Sequence, residues 1–238
     1  MNSRIHRKVT AHDYSHIGQE CFLAVAHNIS NPFVVYIEKD RNESIGHRQP
    51  ALSHPHGRHT QGGAHTADHE RKTIDSELNL IEQGSQMGFV FVGIDLQQWA
   101  LSLMPWADEA VARDPEVGLH AIDALDYVTR RLLPYIYNRY GQLPCILGGC
   151  YLGGLFIPWA ASECPLFDAV AAASPSVWVK NWDNYADSHP SMARKVYMSL
   201  GDREEHARNQ RMAAVGDCIR RHHERLKAQL GAGSTTLA

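Results

Sequence analysis

Short apolar runs alternate with helical patterns from about residue 74 to residue 238. GFVFVGID (88–95) is a continuous apolar run, typical of a strand buried on both faces of a parallel sheet. A helix is predicted over residues 118–140, because apolar side chains recur there every three or four positions and Gly141 follows. We expect Pro134 to kink this helix. The alternation of strands and helices predicts an α/β fold with a doubly wound, mostly parallel sheet.

The same reasoning assigns the remaining elements. Strands are predicted at 22–26, 33–38, 145–148, 169–174 and 195–200, and helices at 73–84, 155–163 and 205–230. The helix at 118–140 should bury an apolar face made up of Leu119, Ile122, Leu125, Val128, Leu132, Ile136 and Tyr140. The last helix should bury Met212, Val215, Ile219, Leu226 and Leu230.

The first third of the chain is less regular. Residues 39–72 are polar, contain several prolines and glycines, and show neither strand nor helix periodicity, which predicts a long loop. The interpretation is a single domain in which a histidine-rich N-terminal segment (1–73) precedes an α/β core (74–238).

Composition excludes several classes of protein. The 238 residues carry 23 Lys and Arg against 26 Asp and Glu, a formal charge of −3, so a broad basic face for nucleic acid is not expected. The apolar runs are too short to span a bilayer, and the first residues lack the apolar core of a secretory signal. Five scattered cysteines favour a reducing cytoplasm over a disulfide scaffold.

One turn is the best candidate for chemistry. The segment LGGCYLGG (147–154) joins a predicted strand to a predicted helix, which is the setting of the G-x-S-x-G nucleophile elbow of hydrolases. The glycines at 149 and 153 bracket Tyr151, so a tyrosine stands where that motif has serine.

Several ordered segments carry a family resemblance. The elbow-like turn, Leu166-Phe167-Asp168, Ser174-Pro175-Ser176-Val177-Trp178, and the segments 92–106 and 196–209 resemble the α/β-hydrolase family of esterase D and the enterochelin-type siderophore esterases. The resemblance covers roughly residues 88–237. It implies carboxylic-ester hydrolysis through an acyl-enzyme, a small-molecule ester substrate, and no cofactor or metal.

The resemblance also implies roles for particular residues. Tyr151 takes the nucleophile position, and the backbone N–H groups of Leu152 and Leu96 would be the oxyanion donors. Glu204 would be the carboxylate of the triad, with Asp202 and Glu205 as rivals. The family places its histidine after one more strand, which begins here near Ser234. Because the sequence ends at Ala238, the sheet is expected to lack its last strand and helix, and the histidine base is expected to be absent.

A phenol has a pKa of about 10 and is bulkier than serine, which makes Tyr151 a poor nucleophile. Cys150 is the alternative nucleophile, because thiols are more nucleophilic and a helix N-terminus lowers their pKa. The expectation is an esterase-like protein with impaired or no activity. The alternatives are a non-catalytic protein that binds a ligand or partner, with an oligomer possible, and a metal-binding protein.

The metal alternative rests on histidines in the N-terminal segment, namely His54, His56, His59, His65 and His69. A solvated polar loop explains them more simply, because Pro55 and Gly57 prevent a helical arrangement and no complete ligand spacing is present.

Trp99, Trp106 and Trp178 follow predicted strands and are candidates for a ligand pocket. Asp108, Glu109, Asp114 and Glu116 are interpreted as a solvated acidic loop.

Overall fold

The computed structural model describes residues 7–9, 21–25, 33–39, 90–96, 99–201, 204–207 and 209–238. The predicted helix at 73–84 and all the candidate metal-binding histidines lie outside these residues. The strands are Arg7–Val9 (β1), Cys21–Val25 (β2), Phe33–Lys39 (β3), Val90–Leu96 (β4), Cys145–Cys150 (β5), Ala169–Ala173 (β6), Lys195–Ser199 (β7) and Thr235–Leu237 (β8).

These strands form one sheet in the order β1-β2-β4-β3-β5-β6-β7-β8. Strand β2 is antiparallel to both of its neighbours, and the strands from β4 to β8 are mutually parallel. The predicted α/β class with a mostly parallel sheet is confirmed. The expectation that the sheet lacks its last strand needs correction, because Thr235–Leu237 pairs with β7 at that edge.

The helices are Trp99–Leu103 (α1), Ala121–Tyr127 (α2), Leu133–Tyr140 (α3), Leu152–Glu163 (α4), Trp182–Ser188 (α5), Gln210–Ala213 (α6) and Val215–Leu230 (α7). A 3₁₀ turn spans Glu204–His206, and another spans Ala232–Ser234. In the part of the chain that the structure describes, none of the helices is long and apolar enough to span a membrane.

The predicted helix at 118–140 is three consecutive pieces. A π-helical turn, Val128–Leu132, separates α2 from α3, and Pro134 lies in the first turn of α3. The proline has no N–H group to donate within this continuous run of helical residues, and the π-helical turn directly precedes α3. Leu119 and Ile122 are exposed, against the prediction, because Leu119 precedes the helix and Ile122 points away from the buried face.

Helices α4, α5 and α7 cover one face of the sheet between β5 and β8. Because β5 to β8 follow one another across the sheet, right-handed crossovers place their connecting helices on the same side. Leu147, Val170 and Val196 lie at paired positions and are buried on the covered face. Helix α4 is central and is buried over almost its whole length.

The predicted last helix divides into two. Ala214 separates α6 from α7, so the apolar face of α7 does not extend to Met212, which is 41% exposed. Val215, Ile219 and Leu226 are buried as predicted, since they recur at helical spacing along the side of α7 that faces the sheet.

Candidate active site

The turn between β5 and α4 places Tyr151 at its tip. Strand β5 ends at Cys150, α4 begins at Leu152, and Tyr151 between them has φ 50° and ψ −111°. A non-glycine residue with this backbone conformation is strained and needs its surroundings to hold it. Its side chain is 56% exposed, so the phenol projects from the carboxyl edge of the sheet.

Backbone hydrogen bonds fix the turn. The N–H of Tyr151 donates to the carbonyl of Ala173 (3.1 Å), and its carbonyl accepts from the N–H of Ser176 (3.0 Å) and of Leu155 (2.9 Å). A Cβ on Gly154 would lie 2.9 Å from Cα of Pro175, so only glycine allows this close approach. The segment that follows β6 therefore holds the strained residue in place.

The N-terminus of α4 presents backbone donors at the same turn. The N–H of Leu155 is the first to donate to a carbonyl four residues earlier, so those of Leu152, Gly153 and Gly154 precede the helical ladder. Donors at this end of a helix, together with its dipole, favour negative charge. The predicted oxyanion donor Leu152 is thus next to Tyr151 and at a helix start.

The other predicted donor lies farther away. Leu96 is the last residue of β4, and β3 separates β4 from β5 in the sheet. The register places Leu96 opposite Lys39, the last residue of β3. The end of β3 is therefore closer to the turn than Leu96 is, and the residues that follow Lys39 lie outside the described ones.

Glu204 lies just beyond β7, two strands from β5. It is half-buried in the 3₁₀ turn, and its side chain folds back so that a Cβ on Gly201 would be 2.8 Å from its Oε1. Its rival Glu205 is exposed and bound to Arg220. Asp202, the other rival, is outside the described residues. Glu204 is therefore the described carboxylate that remains at the end of β7.

Cys150 and the three tryptophans take different positions. Cys150 pairs with Ala173 as the last residue of β5, so it belongs to the strand and not to the tip of the turn. Trp99 and Trp178 are half-buried and pack at the edge of the core. Trp106 donates its Nε1–H to the carbonyl of Lys180 (2.8 Å) and packs against Trp182 and Tyr185. The indole of Trp106 thus takes part in contacts that stabilise the fold.

Asp108 is a residue that sequence reasoning misplaced. It is 1% exposed, and its carboxylate accepts from Arg211 Nη1 (3.0 Å) and Nη2 (2.7 Å) and from the backbone N–H of Lys180 (2.8 Å) and Ala110 (3.0 Å). Burial raises the pKa of Asp108, but these hydrogen bonds outweigh it and lower the pKa to about 2. The prediction of a solvated loop is wrong for this residue, because its partner lies 103 positions away.

A second buried ionisable group lies under α5. His222 is 4% exposed, its ring packs edge-on against Trp182, and neither ring nitrogen has a hydrogen-bond partner among the described residues. Burial lowers its pKa to about 3, and the charge of Arg225 adds to this effect while that of Asp183 opposes it. This position is on the covered face of the sheet, within the layer of helices.

Metal ligation has no support in the part of the chain that is described. No group of three or more His, Cys, Asp or Glu side chains there could hold a metal ion. The histidines that suggested a metal site are outside that part, so the metal hypothesis stays a prediction.

Comparison with known proteins identifies the fold. The structure is similar to the siderophore hydrolase EstA from Aspergillus nidulans, with a TM-score of 0.60 and 16% identity over 92% of this chain and 82% of that one. It is also similar to the BES protein from Bacillus cereus, with a TM-score of 0.61 and 12% identity over 100% and 88% of the two chains. The fold is that of the α/β-hydrolases.

A third similar structure is the feruloyl esterase module from Clostridium thermocellum, an S954A mutant complexed with sinapinate. It has a TM-score of 0.53 and 10% identity, over 99% of this chain and 79% of that one. No protein-family model matches the sequence, and no curated protein matches it. At these identities the likeness shows the fold, and esterases are prominent among the proteins that share it.

Proposed function

We propose that this chain is an α/β-hydrolase-fold protein that binds a small carboxylic ester and hydrolyses it poorly or not at all. The observation that carries the proposal is the position of Tyr151, at the strained and exposed tip of the β5–α4 turn. In hydrolases of this fold that tip is the nucleophile elbow and holds serine. A tyrosine there keeps the turn and replaces its reactive group.

Binding is supported by the groups around the turn. The N–H of Leu152 stands at the start of a twelve-residue helix, where it can donate to a carbonyl oxygen or a carboxylate. Leu96 is less well placed to supply a second donor, because β3 lies between β4 and β5 in the sheet. The proposed oxyanion site therefore rests on the N–H of Leu152.

Impaired hydrolysis follows from the geometry of a phenol. The tyrosine oxygen lies several ångströms farther from its own backbone than a serine oxygen does, whereas the Leu152 N–H stays at the backbone. An ester carbonyl within reach of the phenol would thus be beyond the oxyanion donor, and both are needed to stabilise the tetrahedral intermediate. Burying the ester against the turn instead would place the ring in the path of the acyl group.

The remaining members of a triad are only partly supplied. Glu204 follows β7, which is the position that the chain order nucleophile, acid, histidine requires for the carboxylate. His222 is held neutral under α5 and packs against Trp182, so we assign it no role as a base at the turn. Cys150 is a strand residue, which disfavours the alternative in which the thiol is the nucleophile.

The proposal is tested with p-nitrophenyl butyrate. We expect the wild-type protein to release p-nitrophenolate at a rate no different from that of Tyr151→Phe and Cys150→Ala. We expect Tyr151→Ser to form a butyryl adduct on residue 151, detected by intact mass and peptide mapping. Turnover by the wild type far above the buffer rate, and lost in Tyr151→Phe, would show that the phenol is an effective nucleophile and would contradict impairment.

Binding needs its own measurement. Phenyl butyrate or sinapinate should raise the Tm of the wild type, because a ligand that binds only the folded state stabilises it by mass action. A bulky substitution at the start of α4, Gly153→Leu, should abolish this increase. An unchanged Tm with both compounds would exclude the ester-binding proposal for these acyl groups.

A further inference from the structure

Asp108 joins three connecting segments that meet at the carboxyl edge of the sheet. The residue itself belongs to the segment after β4, Lys180 to the segment after β6, and Arg211 to the segment after β7. The buried carboxylate of Asp108 accepts one hydrogen bond from the N–H of Lys180 and two from Arg211. The two from Arg211, donated by Nη1 and Nη2, form a fork. Reactive groups of parallel α/β sheets gather at this edge.

Neighbouring side chains reinforce the same junction. Trp106 donates to the carbonyl of Lys180 while Asp108 accepts from its N–H, so the segment at 106–108 holds Lys180 from both sides. The guanidinium of Arg211 also lies over the ring of Trp178, 5.8 Å from its centroid. Arg211 is thereby fixed to the segments after β4 and β6 together.

The segment after β6 connects this junction to Tyr151. The N–H of Val179 donates to the carbonyl of Ser176 (3.2 Å), and the N–H of Ser176 donates to the carbonyl of Tyr151 (3.0 Å). Pro175 is in close approach to Gly154 in the first turn of α4. Residues 175–180 thus form a short bridge with Asp108 at one end and the strained turn at the other.

We infer that Asp108 and Arg211 are positioning residues of the candidate active site, which hold the segment at 175–180 against Tyr151 and fix α6 beside it. Through α6 the same pair restrains the segment that carries Glu204. The inference rests on the proposed function for the identity of the site. This role goes beyond stabilising the fold, because the segments that the Asp108–Arg211 ion pair joins are the ones that adjoin the turn.

The first measurement reads the nucleophile position directly. In the Tyr151→Ser background a fluorophosphonate forms a bond between the new hydroxyl oxygen and phosphorus, the P–F bond breaks, fluoride leaves and the hydroxyl proton passes to solvent. We expect Asp108→Asn or Arg211→Lys, added to this background, to lower the labelling rate at least tenfold. Asp183→Asn is the matched control, since Asp183 pairs with Arg221 and Arg225 of α7 and not with the segments that Asp108 joins, and should leave the rate unchanged.

The second measurement does not depend on reactivity. Amide hydrogen exchange in the otherwise unaltered protein should become at least tenfold faster at Ser176 in Asp108→Asn and Arg211→Lys, and stay unchanged at Leu147 in β5. Exchange at Ser176 unaffected in both variants would overturn the inference, as would equal loss of labelling in Asp183→Asn. Should Asp108→Asn fail to fold, Arg211→Lys decides, because it keeps the charge and loses the fork.

The two proposals fail in different ways. Labelling of a residue other than 151 in the Tyr151→Ser background would refute the proposed nucleophile position. If the missing base leaves the new serine unlabelled, the exchange at Ser176 decides whether Asp108 and Arg211 position the turn. Labelling that is unchanged in folded Asp108→Asn and Arg211→Lys, alongside normal exchange, would refute the positioning role and leave the proposed function intact.

Discussion

Asp108 and His222 are both buried and ionisable, and they have opposite surroundings. The carboxylate at the edge of the sheet accepts four hydrogen bonds, one of them from each nitrogen of a guanidinium fork. The imidazole under α5 has no hydrogen-bond partner among the described residues, although Trp182 Nε1 and Arg225 Nη1 near it are also buried without one. At a similar degree of burial, hydrogen bonds therefore stabilise the charged form of Asp108, whereas the charged form of His222 has none and is disfavoured.

The difference follows from the contacts that replace the hydration of each group when it is buried. Asp108 exchanges its hydration for donors of the right geometry, so its charged form is the stable one. His222 exchanges its hydration for apolar and positively charged neighbours, so only its neutral form is tolerated. Asp183, whose charge favours the protonated form of His222, is already bound by Arg221 and Arg225. Pairing, more than burial, decides the state of each group.

The largest effect is expected from removing the satisfied group. Asp108→Ala should lower the free energy of unfolding by about 3 kcal/mol, because it leaves an arginine and two backbone N–H groups without their acceptor. Urea unfolding at pH 7 measures this change. Asp114→Ala is the control, since Asp114 is exposed and its carboxylate accepts from the N–H of Glu116; equal losses in both variants would remove the contrast.

Acid should separate the two groups next. The pKa of His222 is about 6.5 unfolded and about 3 folded, so between these values only the unfolded state binds the proton, and stability falls as pH falls. The slope for one such group is about 1.4 kcal/mol per pH unit, or about 2 kcal/mol from pH 6.5 to pH 5. The contribution of Asp108 persists above pH 3.8 and is lost only as pH falls towards 2.

This pH prediction is tested by measuring urea unfolding of the wild type and of His222→Leu at pH 7, 6 and 5. The free energy of unfolding of the wild type should fall by about 2 kcal/mol more than that of His222→Leu as the pH is lowered to 5. His189→Leu, which alters an exposed histidine stacked on Tyr185, should leave the wild-type slope in place. Parallel curves for the wild type and His222→Leu would show that His222 does not titrate in this way.

A smaller effect is expected at constant pH 7. His222→Leu should raise the free energy of unfolding by about 1 kcal/mol, because an apolar side chain of similar size removes two buried polar atoms that lack partners. Thermal unfolding at pH 7 measures the gain. A loss of stability instead would mean that the imidazole nitrogens are satisfied in solution, and the contrast with Asp108 would weaken.

A last effect, of similar size, concerns the backbone strain at Tyr151. Tyr151→Gly should stabilise the fold by about 1 kcal/mol, since glycine adopts φ 50° without cost and the phenol is exposed. Tyr135→Gly removes another exposed tyrosine from the first turn of α3, and we expect it to destabilise by a similar amount. Equal losses in the two variants would show that the turn stores no strain.

The fold could be predicted from sequence because its signals are local. The strand of 90–96, the helix of 152–163 and the face of α7 at Val215, Ile219 and Leu226 each follow from the spacing of apolar side chains within one element. The strand–turn–helix context of Tyr151 was equally local. These are the features that the structure reproduces with shifts of a few residues.

The buried polar groups could not be predicted in this way. Asp108 has the same sequence surroundings as Glu109, and only Arg211 and Lys180, brought close by the crossovers, distinguish it. The order of strands likewise separates Leu96 from Tyr151, because β3 lies between β4 and β5. Both features depend on residues that are distant in the chain, so the spacing of residues within one helix or strand does not predict them.

The π-helical turn at Val128–Leu132 acts as one extra residue within an otherwise α-helical rod. Val128 and Leu133 are five positions apart and both buried, whereas an α-helix would bring back the same side after three or four. Deleting one residue from this turn would leave Val128 and Leu133 four positions apart, and α-helical bonding brings residues at that spacing to the same side. Ile136 would stay in the core, so a relative whose alignment shows a single-residue gap here should keep its buried apolar positions aligned on both sides of the gap.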